Sequence, residues 1–320
     1  MIFNKKLFLN ISKICLSLFL IYYIFTKIDA TDAVSALKTV DVYFLLIAAS
    51  IQIMNIPIRS YNWKQLLSVQ GIHIPSKTLI SITLVGAFFN NFLPTSMGGD
   101  VVRAYEISKL SNQTVRSTST VVLLRLIGLI AIIIYSVIGV IIGYEIIVIK
   151  NLAKLVGVLA LVPLVFFIMF YNIDKIKFIK PNINSMLRFD TKNIVKKIYD
   201  SIEIYKYHKK KCIRILLVSL LSELMIIIYF YFIALSLHQR IDLLYFFILI
   251  PLISIVEMLP ISINGIGVRE GAFLYFFTNI GMLGYIAISM SLLYYMHKVG
   301  ISLIGGIIYA LRGSKIKYVS

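Results

Sequence analysis

The sequence predicts an all-α, polytopic integral membrane protein with about six full spans and two broken, re-entrant segments in an inverted repeat. Three observations predict it. Apolar runs are long enough to cross a bilayer, Lys and Arg gather between those runs, and two similar Pro/Gly interruptions lie 166 residues apart.

Hydrophobic residues make up 59% of the 320-residue chain and mean hydropathy is +0.91, against about 45–50% apolar in soluble domains. Segments 8–26, 42–58, 118–143, 150–171, 213–236 and 285–309 are each predominantly apolar. Crossing a hydrocarbon core of roughly 30 Å takes about 20 such residues. Unbroken runs of this length exclude the short alternating strands of a barrel, and backbone in lipid must bond internally, so each run is a helix. The whole chain, 1–320, reads as one transmembrane domain with approximate repeat halves 42–143 and 213–309. The first run follows Lys5 and Lys6 like a signal peptide, but Ile28 before Ala30 fits a cleavage site poorly, so a retained anchor is expected.

The net charge of +18 does not indicate nucleic-acid binding. It lies in short segments flanking the spans, where Lys and Arg mark the cytoplasmic face. The N-terminus (Lys5, Lys6, Lys13), segment 59–77 (Arg59, Lys64, Lys77) and the tail (Arg312, Lys315, Lys317) read as cytoplasmic. Segment 172–212 carries eleven Lys/Arg against four acids and reads the same way. Within it Ile194, Ile198, Ile202 and Tyr205 recur at helical spacing among lysines, the pattern of an amphipathic helix on an anionic leaflet. Segment 27–41, with three aspartates and two lysines, reads as external. Full crossings at 118–143 and 150–171 already connect the cytoplasmic segments on either side. The short apolar segment 78–93 therefore enters from the cytoplasm, breaks and returns. Segments 243–260 and 271–282 stand in the same relation to the second half, either crossing or turning back.

The two breaks read Leu-Pro-Thr-Ser-Met-Gly-Gly-Asp-Val-Val-Arg from Leu93 to Arg103 and Leu-Pro-Ile-Ser-Ile-Asn-Gly-Ile-Gly-Val-Arg from Leu259 to Arg269. Six of the eleven positions match. Pro94 and Pro260 remove a helical donor and end the incoming segment. Ser96, Gly98 and Gly99 in the first break, and Ser262, Asn264 and Gly265 in the second, permit a tight turn. Asp100 is placed to cap the helix that follows. A helix start collects N–H donors and the positive dipole end, which favour an anion. Arg103 and Arg269 lie one turn further on, with guanidinium groups suited to phosphate or carboxylate. The alternative is structural, with these arginines pairing to Glu106 and Glu270 to brace the fold. Paired interruptions in an inverted repeat are the sequence pointer to a mid-membrane transporter site.

Other intramembrane polar residues extend this reading. Arg125, about two turns into its span, costs at least about 2.5–3.5 kcal/mol unless it has a partner or a wet cavity. Glu223 and Glu257 are the available counter-ions. Asn90 and Asn91 line a polar cavity or satisfy broken backbone, and His297 and Lys298 lie deep in the last span. Gly139 and Gly143 form a small-residue packing pair. The two cysteines, Cys15 and Cys212, lack metal-ligand spacing, so neither a metal nor a cofactor is expected. The sequence contains no H-E-x-x-H, P-loop or G-x-S-x-G motif.

The segments 88–105 and 259–272 resemble the two hallmark motifs of the lysylphosphatidylglycerol synthase transmembrane family, and the likeness covers nearly the whole chain. The resemblance implies a flippase-like domain acting on phospholipids, anionic or aminoacylated, or on lipid-linked substrates. In that family the first motif is followed by a span with a characteristic Arg, often after an acid; here Arg125 follows Leu124. The lysyl-transferring synthase of the fused proteins is a soluble domain that these 320 residues do not contain, so lysyltransferase activity is not expected. The leading expectation is a lipid flippase-like transporter of the cell membrane, with Arg103, Arg269 and Arg125 lining a cationic pocket and Asn91 and Glu270 beside them. One alternative is a membrane-embedded lipid-modifying transferase using Asp100, Glu257 or His297. Another is an accessory subunit anchoring a separate synthase or glycosyltransferase through 172–212. None of these specifies an oligomeric state.

Overall fold

A computed structural model describes residues 30–92, 98–143, 201–258, 262 and 264–313, with isolated helical positions at 22, 26, 157 and 161. Among them the secondary structure is entirely helical. The elements are α1 (Ala30–Lys38), α2 (Val42–Val69), α3 (Ser76–Phe92), α4 (Gly98–Ser111) and α5 (Thr114–Ile142). They continue as a 3-10 turn (Ile204–His208), α6 (Lys209–Ser236), α7 (Leu243–Met258), α8 (Val268–Thr278) and α9 (Gly284–Gly313). Four helices, Val42–Val69, Thr114–Ile142, Ser201–Ser236 and Gly284–Arg312, are long and apolar enough to cross a membrane. They contain four of the six expected spans. The other two, 8–26 and 150–171, lie outside the described residues, as do Pro94, Ser96 and Pro260.

Local chemistry sets the helix ends. The Asp41 carboxylate accepts from the Tyr43 N–H at 2.9 Å and opens α2, and Asp242 does the same for Leu244 at 2.9 Å before α7. Gly71, at φ +75°, turns the chain after α2, and the Ile72 N–H closes on the Leu67 carbonyl at 3.0 Å. The segment 27–41 contains α1, whose Ala33 is buried, its carbonyl accepting from the Ser289 hydroxyl of α9 at 3.4 Å.

Helix order and packing both repeat. An offset of 167 residues carries the start of α2 onto that of α6 (Val42 to Lys209) and the start of α3 onto that of α7 (Ser76 to Leu243). Each half then runs long, short, short, long. The equivalent helices α2 and α6 pack on each other antiparallel, as an inverted repeat requires. Asp41 pairs with Ser236, Phe44 with Phe232, Asn55 with Ser222 and Asn62 with Ser219 along their length. Packing is also exchanged between halves, because α3 lies against α9 and α7 against α5. Close approach depends on small residues: a Cβ at Gly139 would come within 2.9 Å of the Ile248 Cα, and one at Gly305 would strike the Leu84 carbonyl.

The intervening helices are short. With 17, 14, 16 and 11 residues, α3, α4, α7 and α8 reach about 25, 21, 24 and 16 Å at about 1.5 Å per residue. None alone matches a hydrocarbon thickness of roughly 30 Å.

The apolar stripe at the described end of 192–211 finds protein. Tyr205 is buried in a cluster with Leu66, Val69, Leu123 and Ile215, and its hydroxyl donates to the Leu66 carbonyl at 2.9 Å. A second cluster surrounds Trp63, Leu67, Leu79, Ile82 and Ile107. There the Trp63 indole N–H donates to the Thr120 hydroxyl at 3.1 Å. Trp63→Phe is expected to cost about 1–2 kcal/mol, mainly the lost hydrogen bond. Thermal unfolding in detergent followed by far-UV circular dichroism would measure it, since the chain's one tryptophan is removed.

Candidate functional site

A cavity of about 400 Å³ opens between the two halves, walled by α2, α3, α4, α5, α6, α7 and α9 and by the turn at Asn264. Six pairs of repeat-equivalent positions line it together: Gln52/Ser219, Asn55/Ser222, Ile56/Glu223, Arg59/Ile226, Ala87/Ser254 and Asn90/Glu257. The cavity therefore straddles the pseudo-two-fold axis. At its centre Asn55 and Ser222 bond to each other, the Asn55 amide to the Ser222 carbonyl at 3.2 Å and the Ser222 hydroxyl to the Asn55 side-chain oxygen at 2.8 Å.

The lining carries four cations, Arg59, Arg103, Arg125 and Lys298, and three acids, Asp100, Glu223 and Glu257. It is thus nearly charge-balanced, more zwitterionic than the arginines alone suggest.

The first break supplies one charged group. Gly98 and Gly99 are buried at the start of α4, and the Gly99 N–H donates to the Asn90 side-chain oxygen at 2.7 Å. Asp100, in the first turn, faces two guanidinium groups. Arg103 of the same helix lies 3.4 Å away and Arg125 of α5 pairs through its Nε. Arg103 also donates to the Thr83 carbonyl at 3.3 Å, while its Nε, buried, has no hydrogen-bond partner among the described residues. Arg125 follows Leu124 rather than an acid, and its acid arrives from the helix start of α4 instead.

The second break is built differently. Asn264, Gly265 and Gly267 all have positive φ, from 52° to 83°, making the tight turn before α8. Glu270 closes that turn by accepting the Gly267 N–H at 2.6 Å. The same carboxylate pairs with Arg269, which is only 1% exposed and donates to Ser291 at 2.9 Å. Its guanidinium stacks over Tyr295 at 4.9 Å and Tyr294 at 5.5 Å. Arg269 and Glu270 thus stand behind the cavity wall. Ser262 is also buried, its hydroxyl oxygen without a partner among the described residues.

The two breaks meet through amides. Asn91 donates to the Lys298 carbonyl at 3.2 Å and accepts from Asn264 at 2.9 Å. The Lys298 ammonium donates to Asn264 and Glu257, each at 3.2 Å. Of the residues expected in a pocket, Asp100, Arg103, Arg125 and Asn264 line the cavity, whereas Gly98, Gly99, Asn91, Ser262, Gly265, Arg269 and Glu270 do not. His297 turns toward Tyr229, with 3.0 Å between its Nδ1 and the phenol oxygen.

The expectations above place no cavity role on Arg59, which they assign to a cytoplasmic loop. The structure continues α2 to Val69, so Arg59 is helical and exposed into the cavity. The signal is present in the sequence. Gln52, Asn55, Arg59 and Asn62 repeat at three- and four-residue steps, a polar stripe on an apolar helix.

Comparison with known proteins agrees with this architecture. A stretch of 96 residues is 29% identical to the UPF0104 membrane protein MJ1595 of Methanocaldococcus jannaschii, covering 30% of this chain and 29% of that protein. The family model described as the lysylphosphatidylglycerol synthase TM region matches residues 10–306. A membrane-embedded helical chain matched over nearly its whole length, with both breaks inside the match, belongs to the lysylphosphatidylglycerol synthase transmembrane-region family.

Proposed function

We propose that the protein is a lipid flippase-like transporter, moving a phospholipid or lipid-linked substrate between leaflets of the cell membrane. The headgroup occupies the cavity while the acyl chains stay in lipid. The observation that carries this reading is the cavity itself: a mixed apolar and polar lining with charges of both signs, drawn from equivalent positions of two antiparallel halves. Inverted repeats with interrupted helices hold transported substrate near the midplane, and rocking of one half against the other exposes the site alternately. The family membership ties the chain to lipid metabolism or transport. Both termini face the cytoplasm in this reading, and the protein acts as a carrier rather than an enzyme.

Gly128 gives a direct test. It lines the cavity, and a Cβ there would meet nothing within 4 Å. Gly128→Trp is expected to fill the cavity and abolish movement of a fluorescent phospholipid in a leaflet-accessibility assay on proteoliposomes. Gly128→Ala should retain it. Wild-type liposomes no faster than protein-free ones, or a Trp variant as fast as wild type, would refute the reading.

A further inference from the structure

Four of the five cations at or behind the cavity already have a carboxylate partner. Asp100 answers Arg103 and Arg125, Glu257 answers Lys298, and Glu270 answers Arg269. A ligand anion reaching any of these would compete with a carboxylate already paired to the same cation. It would exchange one strong charge-assisted bond for another with little gain.

Arg59 differs. It is exposed, lines the cavity, and makes no hydrogen bond or ion pair among the described residues. Glu223, the acid on the facing helix α6, is 7% exposed and feels the charge of Arg59, but no direct ion pair joins the two among the described residues. The backbone beneath Arg59 is nonetheless held on both sides. Asn55, one turn before it, and Asn62, one turn after, are each 3% exposed. They bond to Ser222 and Ser219 of α6. A free guanidinium on a fixed stretch of helix is pre-organised for a ligand, since little ordering remains when the ligand binds. Arg59 also stands four residues, roughly 6 Å along the helix, from the Asn55–Ser222 contact that marks the pseudo-axis. Its repeat partner is Ile226, so no internal symmetry of the fold calls for a cation here.

The geometry points to Arg59 as the anchor for the phosphate of the transported substrate, with the arginines of the two breaks acting as bracing. Its planar fork of donors matches a phosphate oxygen pair. This assignment rests on the cavity taking a lipid headgroup, and the same chemistry would also recognise free phosphate.

Binding of dihexanoyl phosphatidylglycerol and of inorganic phosphate to purified protein in an uncharged detergent separates these cases. Arg59→Gln is expected to weaken lipid binding about tenfold or more, the scale of a lost charge-assisted pair, without lowering the unfolding temperature. Arg59→Lys should recover part of the affinity. Arg214→Gln, which removes an equal charge from an exposed position on α6, should change it less than about twofold on the same scale. Lipid binding that survives Arg59→Gln but is lost in Gly128→Trp would overturn the Arg59 assignment and leave the transporter reading standing. Inorganic phosphate binding that depends on Arg59, without any lipid binding, would keep the phosphate site and refute the lipid reading.

Discussion

Asp100→Ala is expected to destabilise the protein by about 3–5 kcal/mol, the cost of breaking a buried ion pair by removing one partner. Asp100 is 9% exposed and Arg103 8%, so the guanidinium left behind has little water to turn to. Arg125 would lose its partner at the same stroke. The expected readout is a large fall in unfolding temperature in detergent. The mechanism has a second signature, because Asp100→Ala combined with Arg103→Met should cost less than Asp100→Ala alone. A double variant that is as unstable as the sum of its parts would show that the carboxylate acts through something other than its charge. Placement of the acid explains the size of the effect. One carboxylate at the start of α4 ties that helix to α5, and Arg103 in turn reaches the Thr83 carbonyl of α3, so three elements loosen together.

The second large effect is steric. A methyl at Gly99 would overlap the Gly86 carbonyl and come within 2.7 Å of the Asn90 side-chain carbon. Backbone cannot swing aside as the end of a lysine can. Gly99→Ala is therefore expected to cost about 3 kcal/mol, the upper part of the overpacking range, and to break the Asn90 bond to the Gly99 N–H. Gly128→Ala, in open space on a helix, should be neutral or stabilising by up to about 1 kcal/mol through helix propensity. Parallel melting curves of the two variants would check the contrast. Equal stability of both would mean that α3 and α4 can part without penalty.

The breaks were legible because they combine residues with few uses in lipid. Proline and paired glycines interrupt apolar runs at 93–103 and 259–269, and α3, α4, α7 and α8 end or begin around them. The matching arginines were legible too, but not their separate surroundings. Arg269 carries its own acid next door in Glu270, whereas the corresponding position after Arg103 is Ala104. Only the fold brings Asp100 to Arg125, 25 residues along the chain. Arg59 was obscured for a different reason. Charge-based topology assigns a basic residue after an apolar run to a loop, so a helix that stays ordered for ten further residues is cut short. Its polar stripe, read by period rather than by charge, crosses that boundary. The repeat-exchanged packing of α3 on α9 and α7 on α5 leaves no trace in local sequence, because small residues such as Gly139 and Gly305 say only that something comes near.

The mutual contact of Asn55 and Ser222 also bears on what one chain achieves that two identical ones could not. In a symmetric homodimer a residue on the axis touches its own copy, and every other residue appears twice around the shared space. Such an assembly would have to present two guanidinium groups where this cavity has Arg59 in one half and Ile226 at the equivalent position of the other. It would likewise need two carboxylates where Glu223 corresponds to Ile56 and Glu257 to Asn90. Joining the halves in a single polypeptide releases each position from its twin. The chamber keeps the geometry of a dimer interface while its halves differ in charge: Arg59, Arg103, Arg125 and Asp100 come from the first, Glu223, Glu257 and Lys298 from the second, so a bound headgroup meets two unlike walls.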